Sequence, residues 1–177
     1  MNLSPVSSSP APVATFATNQ RSATEAEVLY QRFADRPEFD SDEAEALALS
    51  GLLAGSRSAT EAEALYQRFA DRPEFDTDLA EAVALSGLLS GTRSATEAEA
   101  LYQRFADRPE FDTDLAEAVA LGGLLAGTRS ATEAEALYQR FADRPELDND
   151  MSEAHALAGL LAGRPMPFVQ APKEDDA

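Results

Sequence analysis

"RSATEAEALYQRFADRPEFDTDLAEAVALSGLLSGT", residues 57–92, is followed directly by a copy that differs only in Gly122 for Ser86 and Ala126 for Ser90. Looser copies flank the pair, so one 36-residue unit is written four times, at 21–56, 57–92, 93–128 and 129–164. Repetition at this period is the signature of a stacked array in which neighbouring units complete one another's core.

Each unit reads as two helices. Ser58 stands three residues before Glu61, and Thr60 three before Glu63. Either pair can form a capping box, which satisfies helix-start amides and sets a carboxylate on the positive dipole end. The first helix must stop by Arg72, because Pro73 disfavours helical geometry in the residue before it. Ala62, Leu65, Tyr66 and Phe69 fall at i, i+3, i+4 and i+7 and predict one buried face, with Glu63, Gln67 and Asp71 opposite.

"PEFDTD" is a second start signal. Asp76, Thr77 or Asp78 can cap, with Phe75 as a hydrophobic staple, and a helix over 79–90 follows. Gly91 suits a left-handed stop. Leu79, Val83 and Leu89 occupy one side and Leu85 and Leu88 nearly the other. Between them Ala80, Ala84 and Gly87 form a small-residue seam that would admit a neighbouring helix closely. A helix apolar almost all round is covered on several sides. The large apolar side chains of one unit are too few to offset the ordering of its 36 residues, so the units must stack.

The end copies drift toward polarity. Glu43 stands where inner copies have Leu79 and Leu115, and His155 where they have Val83 and Val119, with Met151 and Ser152 nearby. Such changes suit solvent-facing caps.

In repeat length and helix plan, residues 21–164 resemble the short α-solenoid repeats of the tetratricopeptide and Sel1 class. The resemblance implies a stack of helical hairpins and assigns no functional residue. The fold expected is all-α, an α-solenoid of four helix-turn-helix repeats between a disordered Ser/Pro-rich leader, 1–20, and a flexible acidic tail, 165–177.

Composition narrows the function. The formal net charge of −18 is spread as −5, −4, −4 and −3 over successive units, with −2 in the tail. That field repels phosphate backbones and anionic lipid, so the expected partner is a protein, favourably a basic one, with no direct nucleic acid and no membrane. Cysteine is absent, which removes disulfides, thiolate metal sites and cysteine nucleophiles. No run reaches the roughly 18 apolar residues of a membrane span, and the first 20 residues lack the basic and apolar regions of a Sec-type signal.

The acidic stretch "DRPEFDTD" fails as a calcium loop. Counted from Asp76, the glycine and glutamate positions of an EF-hand hold Glu81 and Gly87 instead. Helix capping accounts for it. His155, the only histidine, has no nucleophile or orienting partner apparent in the sequence. No catalytic set, metal or cofactor is expected, and the chain reads as a non-enzyme. Candidate partner-binding residues are Tyr66, Gln67, Tyr102 and Gln103, as ladders that recur once per unit, and Leu85, Leu88, Leu121 and Leu124, as the lining of an apolar groove. Core packing is the favoured account of both the tyrosines and the leucines.

The uncharged leader "MNLSPVSSSPAPVATFATNQ" resembles those of bacterial type III secreted effectors, which would place the protein in a host cell; otherwise it is cytoplasmic. The leading functional expectation is a monomeric, non-catalytic protein-interaction scaffold. An acidic decoy that mimics DNA and a self-assembling structural array are the alternatives.

Overall fold

The computed structural model describes residues 21–34, 36–70, 72–106, 108–141 and 149–163. They form eight α-helices in four hairpins: α1 (Ala23–Phe33) and α2 (Asp42–Ala54), α3 (Ala59–Phe69) and α4 (Asp78–Ser90), α5 (Ala95–Phe105) and α6 (Asp114–Ala126), α7 (Ala131–Phe141) and α8 (Asp150–Leu161). The predicted α-solenoid is present, and no strand occurs among the described residues. Both predicted tails lie outside them, as does most of the turn between α7 and α8.

Caps settle the helix registers. Ser58 accepts from the Glu61 amide while the Glu61 carboxylate accepts from the Ser58 amide at 2.9 Å, which selects Ser58–Glu61 over Thr60–Glu63. The same box recurs at Ser22–Glu25, Ser94–Glu97 and Ser130–Glu133. Among the three candidates for the second helix, Thr77 caps, with its hydroxyl accepting from the Ala80 amide. The freed Asp78 spans to the preceding hairpin instead, where its carboxylate accepts from the Asp40 amide.

Packing differs between the two layers. Second helices α2, α4, α6 and α8 lie side by side in backbone contact. A Cβ on Gly51, Gly87 or Gly123 would come within 2.2–2.4 Å of a main-chain oxygen on the next second helix. The predicted small-residue seam is therefore the axis of the stack. First helices are held apart by rings: Phe33 meets Tyr66, Phe69 meets Tyr102 and Phe105 meets Tyr138, each at 5.1 Å.

One expectation fails. Gly91 ends α4 with φ −86°, not left-handed, and Gly55 and Gly127 are alike. Glycine is needed there for proximity, since a Cβ on Gly91 would meet the Leu125 oxygen at 2.5 Å. The left-handed stop occurs only at Gly163 among the described glycines.

The end faces behave as caps. Tyr30 is 55% exposed where Tyr66 is 1% exposed, and Glu43, Ser152 and His155 all face solvent.

Candidate interaction surface

Of the candidate binding residues, Tyr66, Tyr102, Leu85, Leu88, Leu121 and Leu124 are buried between hairpins. They form core, and no groove lined by them opens to solvent. Gln67 and Gln103 are exposed, each donating to a glutamate one turn back, Glu63 or Glu99. The structure thus brings the tyrosines and leucines together inside the array and leaves the glutamines on its rim.

The arginines define the surface instead, one set by withdrawing from it. Arg57 starts its unit, yet its side chain crosses to the far end of α4. Its Nε donates to the Leu88 carbonyl at 3.0 Å and its Nη2 to the Arg93 carbonyl at 2.6 Å. Arg93 repeats this on Leu124 and Arg129, and Arg21 does so on Leu52, Gly55 and Arg57. Arg129 donates to Leu160. A guanidinium fork thereby satisfies helix-end carbonyls that have no intrahelical partner, and joins each unit to the next. Burial lowers the Arg57 and Arg93 pKa values, but both remain cations.

A second set lies outside. Arg72 bridges Glu74 of its own unit and Glu99 of the next, and its guanidinium lies 5.7 Å from the Phe69 ring and 5.2 Å from the Tyr102 ring. Arg68 reaches Glu99 at 3.1 Å. The same pairs recur as Arg32 and Arg36 on Glu63, and as Arg104 and Arg108 on Glu135. Burial acts to raise the Glu99 pKa, but the bonds and charge of Arg72 and Arg68 outweigh it, and the carboxyl sits below its usual range.

Every described arginine is thus engaged with carbonyls, carboxylates or a ring, the last being Arg140 over Phe141. Carboxylates remain outside. Glu25, Glu61, Glu97 and Glu133 form one exposed ladder, and Asp40, Asp76 and Asp112 another. Hydrogen bonds from Ser58 lower the Glu61 pKa, and those from Ser94 lower that of Glu97, which favours the charged form of both. No cluster of metal-ligating residues occurs among the described residues. No described helix is long and apolar enough to cross a membrane. His155 is exposed, its Nδ1 donating to the Met151 carbonyl at 2.7 Å.

Sequence reasoning missed the buried arginine staple. Its signal was present: a cation just ahead of a helix N-terminus opposes the dipole, and it recurs in all four units. Such a local misfit points to a partner elsewhere in the fold.

The fold and surface together define a helical-repeat array with an acidic exterior. No family model matches the chain, and neither a curated protein nor a solved structure matches it significantly. Its likeness to tetratricopeptide and Sel1 repeats therefore rests on repeat length and helix plan alone.

Proposed function

We propose that the protein is a non-catalytic scaffold that binds a basic protein surface along its exposed carboxylate ladders. The observation that carries this reading is that every described arginine is engaged within the chain by carbonyls, carboxylates or a ring, while the carboxylates of the two repeated ladders stay exposed. Fixed charges of one sign at a repeating interval attract and orient a cationic partner. Affinity capture with the intact array, beside an array carrying Asp40→Asn, Asp76→Asn and Asp112→Asn, tests it. Capture of one basic protein by the native array, lost in the triple variant and on adding salt, is the supporting result. Capture that ignores both salt and the substitutions would sink it.

The regular charge also supports a narrower reading, an acidic decoy for a DNA-binding protein. Displacement of the captured partner by duplex DNA separates decoy from scaffold. Delivery by a type III system rests on the leader, residues 1–20, outside the described residues. A reporter fused to that leader and not exported by such a system removes that part and leaves the scaffold reading standing.

A further inference from the structure

The two open ends of the array are the separated halves of one of its own junctions. At each internal junction a second-helix glycine meets the next second helix 35 residues on: Gly51 against Ser86, Gly87 against Gly122, Gly123 against Ala158. Gly159 occupies the same place in α8 and has nothing within 4 Å among the described residues. Ser50, the counterpart of Ser86, Gly122 and Ala158, is exposed on α2.

Charge follows the same division. Arg32, Arg68 and Arg104 each pair with a glutamate 31 residues on. Arg140 holds that place at the last unit and has no carboxylate partner among the described residues. Glu27 holds the glutamate place at the first unit and bonds only Gln31 among the described residues. The Arg21 carbonyl is likewise the counterpart of the Arg57, Arg93 and Arg129 carbonyls, each of which accepts from a preceding arginine. Tyr30 lies 55% exposed beside an open cleft of about 460 Å³ lined by Ala46, Leu49, Ser50 and Leu53, on the face that a preceding unit covers in every later hairpin.

We propose that a second copy of this chain docks head to tail, the α7–α8 end of one molecule seated on the α1–α2 end of the next as a fifth unit would be. The internal register then sets Gly159 against Ser50 and Arg140 beside Glu27. It also brings the polar replacements at the two ends together, since Ala80 stands opposite Leu115 by the 35-residue offset and Ser152 would stand opposite Glu43. A hydroxyl and a carboxylate replace the alanine and the half-exposed leucine of an internal junction. The junction between molecules is accordingly weaker than those within, and reversible. A heterologous contact of this kind adds copies in one direction, into a filament or, where the rotation closes, a ring, so it grows beyond the dimer.

Sedimentation velocity of the full chain across a wide concentration series tests this. The expected result is an average mass that climbs with concentration past twice the monomer, and loss of that climb in Gly159→Leu. Because Gly159 has nothing within 4 Å among the described residues and lies inside α8, that variant should melt at or above the native temperature. Glu27→Arg, at the opposite end, should move the climb to higher concentration, and adding Arg140→Glu to the same chain should restore it. A mass fixed at the monomer at the highest concentration overturns the proposal. Association that Gly159→Leu leaves unchanged does so equally, because another surface must then be responsible.

Discussion

Gly87 of α4 lies against Gly122 of α6 so closely that a methyl group on Gly87 would stand 2.2 Å from the Gly122 carbonyl oxygen. Two backbones meet with no side chain between them. Gly87→Ala should therefore destabilise the array, although alanine is the better helix former by about 1 kcal/mol. Separating α4 from α6 costs about 1–3 kcal/mol of overpacking beyond that gain. Chemical denaturation should show a lowered midpoint, and a midpoint equal to or above the native one would refute such close approach.

Arg57 is buried on the carbonyls of Leu88 and Arg93. Arg57→Ala leaves these acceptors unsatisfied and should cost about 2–3 kcal/mol, in line with hydrogen bonds to a charged group. Lysine has no fork to span both carbonyls, so Arg57→Lys should recover less than half the loss. Full recovery by lysine would mean that charge alone matters at this position.

Arg72 and Arg68 share Glu99 but differ in exposure, their side chains being 15% and 46% accessible. Arg72 also lies over two rings. Arg68→Ala should cost under about 0.5 kcal/mol, as exposed ion pairs do, and Arg72→Ala clearly more, about 1–2 kcal/mol with the cation–π contacts included. Equal costs in thermal melts would contradict the assigned roles.

Tyr66, Tyr102 and Tyr138 have buried hydroxyls with no hydrogen-bond partner among the described residues, and burial pushes their pKa values upward. Tyr102→Phe should leave stability unchanged or raise it by about 1 kcal/mol, since an unsatisfied polar group is removed. The raised values also fix a pH dependence. Stability from these groups is fully present below pH 10, the ordinary tyrosine value, and is lost as pH rises above it toward the folded values. Tyrosinate absorbance from these three residues should appear together with loss of helical circular dichroism. Ionisation of all tyrosines in a fully helical array would disprove their burial.

Acid acts through the capping boxes. Hydrogen bonds from Ser58 depress the Glu61 pKa below 4.5, so its contribution is present above that value and is lost as pH falls through the depressed one. Ser58→Ala should cost about 1 kcal/mol at neutral pH. The gap between variant and native melting temperatures should narrow as pH falls below 4.5 and through the depressed value, where the carboxylate protonates. A gap that stays constant would show that the Glu61 charge takes no part in the cap.

By itself, the sequence determined the unit, its two helices and the face each would bury. Capping signals, Pro73 and the spacing of Ala62, Leu65, Tyr66 and Phe69 are local, and helix periodicity reports them without reference to distant residues. The need to stack was equally legible, because one hairpin's apolar side chains cannot complete a core. Only the tertiary structure decided which candidates face a partner. Tyr66 and Leu88 lie on helix faces that are apolar or mixed in sequence, and the neighbouring hairpin alone turns those faces into core. Gly91 read as a conformational stop and proved to be a point of close approach, since sequence carries backbone preference but not the distance to Leu125. Arg57 is the clearest case, for the carbonyls it satisfies belong to Leu88 and Arg93, 31 and 36 residues away. No local pattern encodes a contact that exists only after the chain has returned on itself.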